Sequence, residues 1–242
     1  MTKNATAIIL ARAGSKGLPD KNHAMVGGQP CIQWTIDTAN SAQSVSQIVV
    51  STDNQEVADI AQTAGCTVID RPADLAHDTA TIDSAARHTY ESIGSPNTPI
   101  IILYANVPVR PKWLIDQAVN LLVKSNAHSV QSYARVGKHH PWWTVKLGDD
   151  GTVQPWQGDT LYHNTFRRQD LPPAQVPDGG VIALTPDALM CNLGAPEGPH
   201  AFLGTDRRGI ITSEGEVIDI DSRIDQLVAD AILTERVSHA HR

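Results

Sequence analysis

Short apolar runs alternate with longer amphipathic stretches along the first half of the chain. The apolar runs are bounded by polar, glycine or proline residues, which is typical of strands buried on both faces of a parallel sheet. They occupy residues 6–11 (TAIILA), 47–52 (QIVVST), 67–70 (TVID) and 100–103 (IIIL). Helices are predicted over about 30–42, 53–65, 81–93 and 112–124. This order predicts an α/β fold, a Rossmann-like, mostly parallel sheet flanked by helices.

The pattern changes after about residue 127. A strand is predicted over 128–133, but residues of about 134–180 are rich in Pro, Gly, Trp, His and Gln, with a turn at 148–151 (GDDG). This segment is predicted to be a small β-rich excursion from the sheet. Strand-like sequence resumes at 180–184, 209–212 and 217–220, and a helix is predicted over 222–236. A length of 242 residues favours one domain, 1–242, that contains the excursion.

Composition excludes several classes of function. The formal net charge is −7, and no clustered Lys and Arg footprint is present, so a nucleic-acid partner is not expected. The three cysteines, Cys31, Cys66 and Cys191, form neither a disulfide framework nor a CxxC pair, which suits the reducing cytoplasm. No run of 18 apolar residues occurs and the N-terminus lacks a signal-peptide core, so no membrane association is expected.

The loop that follows the first predicted strand carries the most chemistry. Residues 12–22 (RAGSKGLPDKN) contain three cations and two close glycines in an acidic protein. Ligands of open α/β sheets bind at the carboxyl ends of the strands, where this loop begins. Glycines let backbone N–H groups approach phosphate oxygens and cations supply charge, which predicts a polyphosphate site. The GxGxxG and GxxxxGK[ST] patterns are both absent, so on composition alone a solvated basic loop is an equal alternative.

Five stretches, in order along the chain, resemble the CMP-sialic acid synthetases (acylneuraminate cytidylyltransferases). They are ILARAGSKGLPDKN (9–22), IVVSTD (48–53), RPADLAHDTA (71–80), RRQDLP (167–172) and IDIDSRIDQLVADAIL (218–233). The resemblance implies a fold of the nucleotide-diphospho-sugar transferase type. It also implies an enzyme that transfers CMP from CTP to the anomeric hydroxyl of a 2-keto sugar acid and releases pyrophosphate. The excursion is expected to contact a second subunit in a homodimer.

The same resemblance assigns the nucleotide site. The residues that it places around CTP are Arg12, Ser15, Lys16, Lys21, Asn22 and Arg71. Lys21 is expected nearest the reacting α-phosphate, and with Arg12 it forms the catalytic pair that stabilises the departing pyrophosphate. For Arg71 the alternative is an ion pair at the end of a strand.

Two aspartates near the C-terminus are the expected metal ligands. Asp219 and Asp221 are two residues apart, so on an extended strand their side chains lie on the same side. Mg²⁺ takes one or two carboxylates together with substrate phosphates, and the resemblance implies Mg²⁺ at this pair. From the residues alone, Asp221 also qualifies as the N-cap of the closing helix. Asp225, one turn further on, is expected to act on the helix dipole.

Four residues are predicted to bind the acceptor, two within a stretch that matches the family pattern and two where the chain departs from it. Arg167 and Arg168 lie where the resemblance implies binding of the sugar acid or a contact with the partner's site, and arginine binds carboxylates bidentately. Tyr104 replaces a glutamine that contacts the sugar, and Asp178 replaces an asparagine. The acceptor is therefore open between sialic acid, another nonulosonic acid, an eight-carbon keto acid and a different sugar.

Two alternative functions remain at this stage. One is a nucleotidyltransferase of the same fold that uses another nucleoside triphosphate or another sugar. The other is a non-catalytic nucleotide-binding homologue, which would lack Lys21 or the aspartate pair. His139 and His140 are expected to be surface or dimer-contact residues rather than zinc ligands, because adjacent side chains of an extended chain point apart.

Overall fold

A computed structural model describes residues 4–14 and 17–240 of the chain. The strands are β1 (Ala5–Ala11), β2 (Met25–Val26), β3 (Gln29–Pro30), β4 (Val45–Thr52), β5 (Thr67–Asp70), β6 (Ile100–Tyr104), β7 (Ser129–Arg135), β8 (Val145–Leu147), β9 (Val153–Pro155), β10 (Gln175–Leu184) and β11 (Arg207–Thr212). The α-helices are α1 (Cys31–Ser41), α2 (Gln55–Thr63), α3 (Ile82–Ser92), α4 (Leu114–Ser125), α5 (Pro186–Leu189) and α6 (Arg223–Ala240).

Seven of these strands form one sheet in the order β11-β7-β10-β6-β1-β4-β5. The pairs β1 with β4, β1 with β6, β4 with β5 and β7 with β11 are parallel, whereas β10 runs antiparallel to both of its neighbours. The predicted mostly parallel α/β sheet is therefore confirmed. The carboxyl ends of β1, β4 and β6 lie side by side and place the loops that follow them at one edge.

Helices cover both faces of the sheet. All seven residues of β1 are buried, as the continuous apolar run predicts for a central strand. One face packs against α1, α2 and α4 through side chains that include Ile36, Val57 and Leu122. The other face packs against α3 and α5 through side chains that include Tyr90 and Leu189. This burial fixes the register of the strands whose ends carry the site.

Helix starts follow the capping residues in the sequence. Asn54 Oδ1 accepts a hydrogen bond from the Val57 N–H at 3.0 Å, and Thr81 Oγ1 accepts one from the Ser84 N–H at 3.3 Å. The strand expected over 217–220 is wrong. That segment forms a single antiparallel bridge, Val109 to Ile218, because the chain has left the sheet before the closing helix begins.

The excursion is shorter and less β-rich than expected. Arg135 pairs with Gln175 in the main sheet, so the segment that leaves the sheet is 136–174 and not 134–180. It contains the hairpin β8–β9, with the predicted turn at 148–151, and three short 3₁₀ turns. His140, expected at the surface, is buried, and its Nε2 lies 3.1 Å from the Pro172 carbonyl oxygen.

Within residues 4–14 and 17–240, no helix combines the length and the apolar character that crossing a bilayer requires.

Candidate active site

A cavity of about 160 Å³ opens at the carboxyl ends of β1 and β6. It brings together five residues that the sequence had singled out, which are Arg12, Lys21, Asn22, Arg71 and Tyr104. Leu10, Leu75 and Ala85 supply part of its apolar wall. Cationic groups beside an apolar wall suit a ligand that carries phosphates at one end and a flat base at the other.

The loop after β1 is fixed by one hydrogen bond within the loop and by one to the residue that follows β4. Asn22 Nδ2 donates to the Arg12 carbonyl oxygen at 2.8 Å, and the Ala13 N–H donates to Asp53 Oδ1 at 2.6 Å. Gly17 lies so close to the Asp221 backbone that a Cβ there would be 2.4 Å from the Asp221 carbonyl oxygen. Ser15 and Lys16 lie outside the described residues, so their assignment to the nucleotide stays a prediction.

Two of the three cations that line the cavity, Arg12 and Lys21, already form ion pairs. Arg12 Nη1 lies 2.8 Å from Asp78 Oδ1, and Lys21 Nζ lies 2.6 Å from Asp221 Oδ1. The Lys21 side chain is mostly buried, whereas that of Asp221 is exposed. An anionic ligand that enters the cavity can therefore compete with an exposed carboxylate for an ammonium group that is already in position.

Arg71 is held by the end of β4 rather than by an ion pair. Its Nη2 donates to the Ser51 carbonyl oxygen at 2.9 Å, and its Nε donates to Ser51 Oγ at 3.2 Å. Burial lowers the pKa of Arg71 to about 10, and the Asp53 carboxylate opposes that shift. The guanidinium remains charged at neutral pH and keeps its orientation beside Arg12.

The surroundings of Asp219 disfavour the charged form of its carboxylate. Asn106 Nδ2 donates a short hydrogen bond to Asp219 Oδ1 and also contacts the Ile220 carbonyl oxygen. Burial, followed by repulsion from Asp221, raises the pKa of Asp219 to about 6. In a partly buried carboxylate with a second carboxylate close by, the repulsion would be relieved by a bound cation.

Ser222 and Asp225 cap the start of α6. Ser222 precedes α6, and Asp225 Oδ2 accepts hydrogen bonds from the Ser222 N–H and Oγ, both at 2.8 Å. The Asp225 N–H in turn donates to Ser222 Oγ at 3.4 Å, which completes a reciprocal capping box. The alternative role of Asp221 as an N-cap is wrong, and its carboxylate turns to Lys21 instead.

The carboxylate oxygens of Asp219 and Asp221 are ligands of the kind that Mg²⁺ binds. Two hard carboxylates lie within electrostatic range of each other, and one is fixed by Asn106. Among the described residues there is no group of three or more His, Cys, Asp or Glu side chains suited to a metal ion. Phosphate oxygens would have to complete the coordination, which is how Mg²⁺ is usually bound at nucleotide sites.

A wide bulge in β10 forms the adjoining surface. Pairing with β7 is interrupted between Pro177 and Ile182, so four residues of β10 lie opposite Ser132. Gly179, at φ +75°, lies in this bulge, and a Cβ there would be 3.4 Å from the Tyr104 ring and 3.7 Å from Asp219 Oδ2. The missing side chain at Gly179 therefore leaves space beside both groups.

Asp178 is tied into the bulge by its own oxygens. Oδ1 accepts from Ser132 Oγ and, at 2.9 Å, from the Gly180 N–H, and Oδ2 accepts from Thr212 Oγ1 at 2.6 Å. The structure thus gives this carboxylate a role in shaping the strand that the sequence did not indicate. Its predicted contact with the acceptor stays a prediction.

Arg167 and Arg168 lie apart from this cavity within one protomer. Arg167 pairs with Asp170 at 2.8 Å, and Arg168 pairs with Glu214 at 3.2 Å. Arg168 lines a different cavity of about 400 Å³ together with Arg135. The structure therefore does not bring the two predicted acceptor arginines to Lys21 and Tyr104, and their role in binding the acceptor stays a prediction.

Two residues of the site were not singled out from the sequence for the roles that they have. Asn106 follows Tyr104, the last residue of β6, by two residues, so its position just after a strand end was a signal that could have identified it. The other residue is Arg110, six residues after the end of β6. It is buried, and its Nε donates to the Gly180 carbonyl oxygen behind the bulge.

Comparison with known proteins finds relatives whose names agree on the transfer of a cytidylyl group. A family model described as cytidylyltransferase matches residues 6–147, more than half of the chain. An N-acylneuraminate cytidylyltransferase of Streptococcus agalactiae is 34% identical over 177 residues, covering 72% of this chain and 42% of that protein. A CMP-N,N'-diacetyllegionaminic acid synthase of Legionella pneumophila is 29% identical over 237 residues, covering 94% of this chain and 95% of that protein.

Solved structures give the same fold. The structure of a CMP:2-keto-3-deoxy-manno-octonic acid synthetase complexed with CTP superposes with a TM-score of 0.70 at 17% identity, covering 96% of this chain and 99% of that one. At that identity the likeness concerns the fold. The chain spans about two fifths of the length of the Streptococcus relative, 42%, but nearly all of the Legionella one. With the family match over residues 6–147, these findings identify the chain as a member of the cytidylyltransferase family, in its CMP-sialic acid synthetase group.

Proposed function

We propose that this protein transfers CMP from CTP to the anomeric hydroxyl of a 2-keto sugar acid of the sialic acid class. The observation that carries the proposal is the meeting of Lys21, Arg12 and Arg71 in one cavity beside the Asp219 and Asp221 carboxylates. The names of the Streptococcus and Legionella relatives support both the nucleotide and the acceptor class. Non-catalytic nucleotide binding is disfavoured, because Lys21 and the aspartate pair are both retained.

In the proposed reaction the sugar hydroxyl attacks the α-phosphorus of CTP. A new phosphorus–oxygen bond forms, the bond to the oxygen that bridges the α- and β-phosphates breaks, pyrophosphate leaves with the electron pair, and the hydroxyl proton is released to solvent. Lys21 and Arg12 hold the phosphates and offset the charge that develops on the departing group. Mg²⁺ held by Asp219 and Asp221 would neutralise phosphate charge. Alignment and charge neutralisation are the main requirements of phosphoryl transfer, so no nucleophilic side chain is needed.

The acceptor is proposed to lie against the bulge of β10. Gly179 leaves space there beside the Tyr104 ring and Asp219. Burial, with a contribution from Asp219, raises the pKa of Tyr104 to about 12, so its hydroxyl stays protonated and can donate to an acceptor oxygen. The internal hydrogen bonds of Asp178 reduce the cost of its charge beside an anionic sugar.

The assay is pyrophosphate release with Mg²⁺, each of the four nucleoside triphosphates, and a panel of nonulosonic and octulosonic acids. We expect turnover with CTP and with at least one nonulosonic acid, and less than about one hundredth of that rate with the other nucleotides. Omitting the sugar should abolish release. Turnover with another nucleotide but not with CTP would contradict the cytidylyl assignment while keeping the transferase chemistry.

We also propose a homodimer formed through the excursion, in the cytoplasm. Large apolar side chains are exposed along 136–174, with Phe166 88% exposed, Trp156 57% and Tyr162 46%. Contiguous exposed apolar residues are typical of an interface. The three cysteines are free, which suits a reducing compartment.

Replacing Phe166 by serine is expected to weaken this dimer about tenfold or more, because burial of one Phe is worth about 1.5–3 kcal/mol. Sedimentation equilibrium measures the dissociation constant directly. The matched control is Ile224→Ser, which replaces a side chain 72% exposed on α6, outside the excursion. Equal dissociation constants for the two variants would contradict the placement of the interface.

A further inference from the structure

A second cavity, of about 470 Å³, lies between α1, the segment 108–113 and the C-terminal half of α6. It shares no lining residue with the cavity that holds Lys21. We name it the α1/α6 groove. Trp34, Trp113 and Leu233 form much of its apolar lining, and Trp113 is 42% exposed. Mostly apolar cavities with a few polar groups are the usual form of small-molecule sites.

The charges of the α1/α6 groove are predominantly positive. Arg110, Lys112 and Arg236 line it, against the single carboxylate of Glu216, which accepts a hydrogen bond from the Ser213 N–H at 2.7 Å. Among the described residues, Lys112 and Arg236 have no ion-pair partner. Three cations against one anion form a local excess in a protein whose net charge is −7. The groove therefore favours an anionic occupant.

Arg110 provides an independent observation. The residue is 3% exposed, and its Nη2 has no hydrogen-bond partner among the described residues, although Nε donates to Gly180 and Nη1 to Thr35 Oγ1. Buried guanidinium nitrogens are normally paired, so an orphaned one next to a cavity needs an explanation. The Asp178 and Asp219 carboxylates act on the charge of Arg110 from the side of the bulge, but neither accepts a hydrogen bond from Nη2, which leaves that nitrogen available to a further acceptor.

We propose that the α1/α6 groove is a second ligand site, for a small organic anion with a flat, apolar body. The tryptophan rings would pack against the flat body, and Arg236 and Lys112 would bind the anionic group, with the buried Arg110 adding its charge to the lining. This occupant would contact the apolar lining and also neutralise the excess of positive charge. An inorganic anion would neutralise the charge but would leave the apolar lining uncovered. Through Arg110 the site adjoins the Gly180 backbone behind the acceptor surface.

The test uses titration calorimetry of the full chain with three probes. Naphthalene-2-sulfonate carries a ring and a charge, naphthalene-2-sulfonamide carries the ring without the charge, and methanesulfonate carries the charge without the ring. We expect one sulfonate bound per chain with a dissociation constant below about 1 mM, and at least tenfold weaker binding of the other two. Equal binding of the sulfonate and the sulfonamide, or no saturable binding of the sulfonate, would overturn the proposal.

Variants locate the binding. Arg236→Gln removes an exposed cation of the groove, and Trp113→Ala removes part of its wall. Each should weaken binding of naphthalene-2-sulfonate about fivefold or more. Arg223→Gln is the matched control on the same helix, because Arg223 hydrogen-bonds Gln226 and does not line the groove. If Arg236→Gln and Trp113→Ala bind as the unaltered chain does, the sulfonate lies elsewhere and the proposal fails. Binding does not depend on catalysis, so these outcomes are independent of the proposed transferase activity.

Discussion

Replacing Asp219 by asparagine is expected to stabilise the metal-free protein and nearly abolish its activity. Burial and the neighbouring Asp221 raise the pKa of Asp219 from 3.8 to about 6, so its charged form is unfavourable in the folded state. Removing the charge should raise the free energy of unfolding at pH 7.5 by about 1–3 kcal/mol. The same substitution should lower the rate of pyrophosphate release about 10²-fold or more, because Asp219 is one of the two proposed ligands of Mg²⁺.

The pH dependence follows from the direction of the shift. Above pH 6 the folded protein holds a disfavoured charge, and the asparagine variant is the more stable of the two. As the pH falls from about 6 towards 4, Asp219 becomes protonated and the advantage of the variant disappears.

Urea unfolding in the presence of a chelator measures this difference at pH 7.5 and pH 5. The matched control is Asp149→Asn, at an exposed turn between β8 and β9, which should change stability by less than about 0.5 kcal/mol. A variant at position 219 that is less stable than the unaltered chain at pH 7.5 would contradict the account of Asp219.

Replacing Lys21 by methionine is expected to lower the turnover number about 10²- to 10³-fold, the scale for loss of one group that stabilises charge in a transition state. Stability should change little. The partner in its ion pair, Asp221, is exposed and can be rehydrated, and pairs of this kind contribute about 0–1 kcal/mol. Methionine retains most of the length and apolar stem of lysine, so packing is largely preserved.

The measurement is steady-state pyrophosphate release with CTP, together with thermal unfolding of each variant. Lys124→Met, at the exposed end of α4, is the matched control and should retain full activity. If methionine at position 21 leaves the turnover number within threefold of the unaltered chain, Lys21 is not the group that stabilises the reacting phosphates.

Much of the fold was accessible from the sequence because its signals are local. The buried run 6–11 predicted β1, and the helix starts predicted at about 53 and 81 lie within two residues of where α2 and α3 begin. The strand predicted over 217–220 was wrong because an extended segment outside the sheet can show the same alternation of apolar and polar residues. Its single bridge to Val109 depends on packing between distant segments, which periodicity does not encode.

Some features of the candidate site could likewise be predicted from the sequence, and others could not. The loop after β1 and the aspartate pair were accessible because each lies within one short stretch of sequence. Asn106 beside Asp219, and the burial that raises the pKa of Asp219, arise from segments 113 residues apart. The internal bonding of Asp178 likewise joins three segments through Ser132 and Thr212. Contacts of this kind are set by tertiary structure and leave no pattern in a single sequence.

The antiparallel pairing of β7 with β10 has a consequence for engineering. Residues 136–174 connect two adjacent strands whose ends meet at Arg135 and Gln175, so topologically they form the loop of one oversized hairpin. The entropic cost of closing such a loop changes only slowly with its length. We therefore expect that residues 136–174 can be replaced by a tight turn or by the corresponding segment of a relative. Such a replacement would remove or exchange the proposed dimer contacts, while the strands at the nucleotide site would keep their order and pairing.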